Sequence, residues 1–198
     1  LIPLGESATA KKLWSMVDPY TYRSKYTMPK MILLGNNDPY WSPDALNAYW
    51  DETPGEKYIS YTPNAGHGLQ ETDATGVREK IPLRALDNLT AFVRSQFAGK
   101  ALPKITWKHG ESADGNFTLS LTSDQPAKAA RIWIAKNPTK DFRKARWESQ
   151  AIDAIDGKAA TVTIPKPKEG YICFYADVNY DIEGNPLWLC TQLRLAGQ

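Results

Sequence analysis

The chain has 198 residues, 42% of them hydrophobic, with 24 basic and 22 acidic side chains giving a net charge of +2. The two signs are mixed along it, with no Lys/Arg block to follow a phosphate backbone, so nucleic acid is excluded as an expected partner; no apolar run reaches the roughly eighteen residues a membrane span requires. The length suits one large domain or two small ones.

The opening Leu1-Ile2-Pro3-Leu4-Gly5 has no Met, basic n-region or signal-type apolar segment, and reads as a start made by cutting or by choice of boundary. Residues 29–35 (Pro-Lys-Met-Ile-Leu-Leu-Gly) form a short apolar run between Pro and Gly, the pattern of a strand buried on both faces of a parallel sheet. Asn36-Asn37-Asp38-Pro39 makes a turn. Ser42-Pro43-Asp44 then predicts a helix to about Asp51, with Ser42 as N-cap and Pro43 at its first position. Residues 57–62 (Lys-Tyr-Ile-Ser-Tyr-Thr) are β-branched and aromatic and predict a second strand, ending at Pro63-Asn64-Ala65-Gly66-His67-Gly68. Leu83, Leu86, Leu89, Val93 and Phe97, spaced by three and four, predict an amphipathic helix from Pro82 to Gly99 whose apolar stripe covers a sheet face.

After Gly99 the period changes to two. Alternation in residues 104–108, 117–122, 131–135, 143–147, 161–164, 171–178 and 187–195 predicts about seven short strands, enough for an immunoglobulin-like or fibronectin-like β-sandwich. The expected division is residues 1–99 and 100–198. Cys173 and Cys190 fall on the last two runs. A hairpin through residues 181–185 puts them opposite one another, where a cross-strand disulfide and a pair of buried thiols are both open.

In an open sheet with parallel strands, reactive groups collect on loops at the carboxyl ends of the strands. Asp38 follows the first predicted strand by three residues and His67 follows the second by five. Acid before histidine is the order of an α/β-hydrolase triad, with the serine upstream. A serine hydroxyl is a weak nucleophile until an imidazole takes its proton, and a carboxylate fixes the tautomer of that imidazole and stabilises its charged form. His109 reads as a strand-end surface residue, Asp44 as a helix first-turn charge and Asp73 as a loop or cap residue. No Gly-x-Ser-x-Gly occurs, Gly5-Glu6-Ser7-Ala8 lacking the second glycine, and there is no phosphate loop, Cys/His cluster or dinucleotide fingerprint, so no cofactor or metal is expected.

Several of these segments resemble one family. Residues 17–23 (Val-Asp-Pro-Tyr-Thr-Tyr-Arg), the run 28–34 with Asp38 after it, and Gly55-Glu56-Lys57-Tyr58 leading into Pro63-Asn64-Ala65-Gly66-His67 are similar to the PhoPQ-activated pathogenicity-related proteins. So are residues 131–135 (Arg-Ile-Trp-Ile-Ala), Asp141-Phe142-Arg143 and Trp147. The resemblance implies the C-terminal portion of an α/β-hydrolase sheet with covering helices, followed by the sandwich. It also implies export to the periplasm or the exterior, and Asp38 and His67 as triad acid and base. The serine, and the oxyanion hole with it, would lie in an upstream hydrolase segment, the expected partner of these residues. At Gly35-Asn36-Asn37-Asp38 the chain departs from the family's more usual Gly-Asp.

The expected function is thus the C-terminal part of a serine hydrolase acting on an ester or peptide. Two alternatives stand beside it: a binding module presenting Trp107, Trp133, Trp147 or Trp188 to a glycan or peptide, and a hydrolase-like protein without activity.

Overall fold

Among the described residues, 30–35 and 57–62 are the only strands that run side by side in one direction. A computed structural model describes residues 5–153 and 159–197; Leu1–Leu4, most of the expected cut or chosen start, lies outside them. In it β1 (Lys30–Gly35) and β2 (Lys57–Thr62) pair in parallel from Lys30↔Lys57 to Gly35↔Thr62. Every other pairing of strands among the described residues is antiparallel. β3 (Ile105–Glu111), β4 (Phe117–Ser123) and β7 (Ala160–Ile164) form a three-stranded sheet. β5 (Ala129–Asn137), β6 (Glu148–Ile152), β8 (Tyr171–Ile182), β9 (Asn185–Cys190) and β10 (Arg194–Gly197) form a five-stranded one. The long β8 is its axis, paired with β5 along one side and with β10 and then β9 along the other.

These observations overturn the expected fold class. The chain is mostly β, 37% strand against 20% helix, divided among several sheets, and is not a portion of an α/β-hydrolase sheet with covering helices. The first half contributes one parallel pair, and β1 is half-buried along most of its length rather than enclosed on both faces. The helix expected after Ser42 shrinks to a 3-10 turn, Ala45–Ala48, because the Ser42 hydroxyl bonds the Asp44 carboxylate instead of capping a backbone amide. An α-helix not foreseen, α1 (Ala8–Val17), starts at Ser7, whose hydroxyl accepts from the Ala10 amide at 3.2 Å. Two core clusters each draw on both sides of residue 99: Tyr58, Ala91 and Leu119 with Phe174 in one, Ile59 and Tyr61 with Trp147 and Tyr175 in the other.

The second α-helix, α2 (Leu83–Ala98), forms where its period predicts and ends at Gly99, whose φ of 63° suits a residue without Cβ. Its orientation is the reverse of the expected one. Leu83, Leu86, Leu89, Val93 and Phe97 face solvent, Phe97 at 90% exposure, while Arg84, Ala85, Asn88, Ala91 and Ser95 are buried. Two polar anchors fix this. The Asn88 amide donates to the Trp188 carbonyl at 3.1 Å and its oxygen accepts from the Trp188 amide at 2.7 Å, completing the outer edge of β9. Arg84 reaches Asp177, which is fully buried on β8 and also accepts from Arg131 and from the Trp133 indole. Burial alone would lower the Arg84 pKa, but the adjacent Asp177 carboxylate reverses that and raises it. Leaving either anchor unpaired in the interior costs more than leaving leucines wet.

The β8–β9 hairpin turns at Glu183-Gly184, both with positive φ (52° and 83°), as a two-residue hairpin turn requires. The turn falls within the expected residues 181–185, but its register differs from the expected one, so Cys190 faces Asp177 and Cys173 faces Ala135 and Leu195. Both thiols are buried and free, and the disulfide alternative is removed. The alternation at 143–147 makes no strand; Phe142 and Trp147 are buried from a loop, and β6 begins one residue later. Asp177→Ala, which strands Arg84 in the interior, is expected to lower unfolding free energy by about 3–5 kcal/mol. Urea denaturation checks this, and a loss below ~1 kcal/mol would contradict the anchoring role.

Candidate active site

Because β1 and β2 are parallel, the chain leaves both at the same end, and the loops that follow meet there. Their contact is close. A Cβ at Gly35 would stand 2.5 Å from the Ala65 carbonyl oxygen and nearer still to that of Gly66, so only glycine lets residues 63–66 cross the end of β1. The Asn37 amide donates to the Ala65 carbonyl at 2.9 Å, tying the two loops together, and the Asp38 amide donates to the Gly35 carbonyl at 3.2 Å. Asn64 takes φ 52°, a conformation asparagine tolerates better than most residues, and turns the second loop toward the first.

The two residues singled out by sequence are brought together. Asp38 Oδ2 lies 2.8 Å from His67 Nδ1. Its other oxygen, Oδ1, accepts from the backbone amides of Tyr40 at 2.8 Å and Trp41 at 3.2 Å. Burial alone would raise the carboxyl's pKa, but the Tyr40 amide, the His67 ring and the Trp41 amide outweigh it and hold it below the ordinary range. Asp38 is 4% exposed and His67 58%, so the acid is sequestered and the ring stands in solvent. The Tyr40 ring and the imidazole pack nearly perpendicular to one another, centroids 5.1 Å apart and planes at 87°. Among the described residues nothing hydrogen-bonds Nε2. With Nδ1–H donated to Asp38, Nε2 is a free lone pair able to accept a proton.

Other expected residues fall elsewhere. His109 is not a strand-end surface residue: it lies within β3, half-buried against Phe174, its Nε2–H donating to the Gln192 carbonyl at 2.9 Å, and burial lowers its pKa. Asp44 caps the 3-10 turn by position, its carboxylate accepting from Ser42 and from no backbone amide of the turn, and Asp73 closes its own loop by accepting from the Thr75 and Val77 amides. The four tryptophans named as a binding surface make no exposed platform. Trp133 and Trp147 are buried, Trp188 lies against the guanidinium groups of Arg84 and Arg131, and Trp107 leans on Trp50. Sequence reasoning missed Gly35 and the Tyr40 and Trp41 amides. The Gly ending an apolar strand was the available signal for the first; backbone donors leave none.

The depressed Asp38 pKa has a definite sign. A carboxyl lower in the folded state stabilises the fold fully above its unfolded value, and that contribution is lost as pH falls through the folded one. Carbon-13 titration of the Asp38 carboxyl is expected to give a midpoint below the ordinary 3.8, moving upward in His67→Ala. A midpoint at or above 3.8 in the wild type would contradict the bonding described.

The sequence model of the PhoPQ-activated pathogenicity-related proteins matches residues 4–143. The autocrine proliferation repressor protein A of Dictyostelium discoideum is similar at 28% identity over 192 residues, covering 85% of this chain and 37% of its own length. The chain thus spans little more than a third of that relative. No solved structure matches it. Among the described residues no helix is long and apolar enough to cross a membrane. With the family model covering well over half its length, the chain belongs to the PhoPQ-activated pathogenicity-related protein family.

Proposed function

We propose that Asp38 and His67 are the acid and base of a Ser-His-Asp hydrolytic site acting on an ester or peptide bond, with the serine supplied by an upstream segment of the complete protein. The observation that carries this reading is the 2.8 Å contact between a buried carboxylate and an imidazole whose far edge is open. In the reaction Nε2 takes the proton of the serine hydroxyl as its oxygen attacks the carbonyl, and returns it to the leaving group. Asp38, fixed by two backbone amides, holds the ring and stabilises the imidazolium without itself taking the proton.

Three further observations support an additional segment over this site. The imidazole stands on open surface, whereas acyl transfer requires water to be largely excluded. The apolar stripe of α2 has no partner among the described residues, and neither does the outer edge of β1. The Dictyostelium relative is much longer than the part matched. We propose too that the protein is exported, to the periplasm or the exterior, as its family suggests.

A serine-reactive phosphonate is expected to label the full-length protein, and His67→Ala to abolish that labelling. Asp38→Asn should slow it severely, by about 10⁴-fold if the site follows the reference triad. Undiminished labelling of the His67 variant would overturn the reading.

A further inference from the structure

The loop at residues 138–147, in the β-rich half of the chain, touches both loops that carry the dyad. The Asn37 side chain, one residue before Asp38, donates to the carbonyls of Phe142 and Ala145, each at 2.8 Å. Both protons of its amide are thereby used. The Asn64 side chain, three residues before His67, pairs with the backbone of Trp147 in both directions: its Nδ2 donates to the Trp147 carbonyl at 3.1 Å, and its Oδ1 accepts from the Trp147 amide at 2.8 Å. Arg146 adds a bond to the Thr72 carbonyl at 3.0 Å, and the Thr72 amide donates to the Asn64 carbonyl at 3.1 Å. The loop is a firm base for these contacts. Phe142 and Trp147 are buried in the core beside Tyr175, and the Asn137 amide bonds the carbonyls of Thr139 and Asp141 across its neck.

We propose that the 138–147 loop is the positioning element of the dyad, and that Asn37 and Asn64 are positioning residues that set where Asp38 and His67 stand relative to one another. The proposal rests on the dyad reading above. The loop carrying Asp38 and the loop carrying His67 are each held by asparagine side chains to the same short stretch of backbone, so their separation is fixed by that stretch. Preorganised sites hold reacting groups to about 0.5 Å, and an error near 1 Å costs on the order of 10²-fold in rate. The Asn37 amide bonds one loop to the other directly, and the 138–147 backbone adds a support common to both. The β-rich half is then part of the site's construction and not a separate attachment.

The test needs no substrate. In the intact chain, nitrogen-15 shifts of the His67 imidazole and the low-field proton of Nδ1–H report the bond to Asp38. Wild type is expected to show the Nδ1–H tautomer with a low-field resonance. Asn37→Ser and Asn64→Gly, the latter chosen because glycine keeps the φ of 52°, are each expected to lose that resonance and shift toward the Nε2–H tautomer. Amide signals outside the two dyad loops and residues 138–147 should stay in place. Asn64→Asp, which keeps the acceptor for the Trp147 amide, should restore part of the signal. If both variants fold and retain the wild-type imidazole signals, the proposal fails. Should Asn64→Gly unfold, Asn37→Ser together with the exposed Arg146→Ala decides in the same way. In the full-length protein the same variants should lower kcat about 10- to 100-fold with KM held; a change in KM alone would overturn the positioning role. Phosphonate labelling and its dependence on His67 are unaffected by a negative result here, so the two readings fail separately.

Discussion

Parallel pairing of β1 and β2 is the constraint from which the candidate site follows. Two strands that run the same way must release the chain at the same end, and whatever follows each of them is then a neighbour in space although 29 residues separate Asp38 from His67. The pairing alone would leave those loops side by side. It is the missing Cβ at Gly35 that lets one cross over the end of the other's strand, and the Asn37–Ala65 bond that holds the crossing. A third layer of contacts, from the β-rich half, then bears on both. Secondary structure, backbone sterics and side-chain amides act in sequence, each narrowing what the one before allows.

A different balance governs α2. Apolar periodicity located the helix to within a residue and gave the wrong answer about which way it faces. The buried positions Arg84 and Asn88 are where a pattern reading expects solvent, and the leucines are where it expects core. Hydrophobic burial is nondirectional and can be deferred to another surface, while Asp177 and the Trp188 peptide group sit at fixed places and accept few partners. Directional needs decided the orientation, and the apolar stripe was left outward. Arg131 and Trp133 complete the same arrangement from β5, so one carboxylate orders a helix, a strand and two tryptophans.

Much of this was legible in the residues. β1 and β2 were marked by short apolar and β-branched runs with Pro and Gly at their ends, and the approach of Asp38 to His67 followed from their positions after those runs. The strands of the second half were mostly where alternation put them. The errors have physical sources. Residues 143–147 alternate by coincidence while two aromatics fill the core from a loop. The hairpin register depends on which two residues adopt positive φ, and Glu183 carries no mark of it. The larger error, an α/β-hydrolase portion, came from carrying two real parallel strands to a whole sheet; a local pattern states that strands exist, not how many neighbours they have. The asparagines at 37 and 64 read as turn residues because their partners, backbone carbonyls and an amide about a hundred residues away, have no signature in sequence.

The double bond of Asn88 to Trp188 has an effect on how the molecule can assemble. An amide side chain that both donates to and accepts from an outer strand occupies the groups another strand would use, so at that point β9 cannot be extended by strand addition. β2 is similarly engaged on its far side, where the Tyr61 amide meets the Cys190 sulfur at 3.3 Å. Among the described residues β1 has no such guard. Growth of the parallel pair is therefore one-directional, outward past Lys30–Gly35, and any strand from the same polypeptide or from another molecule that adds to this pair enters from that side.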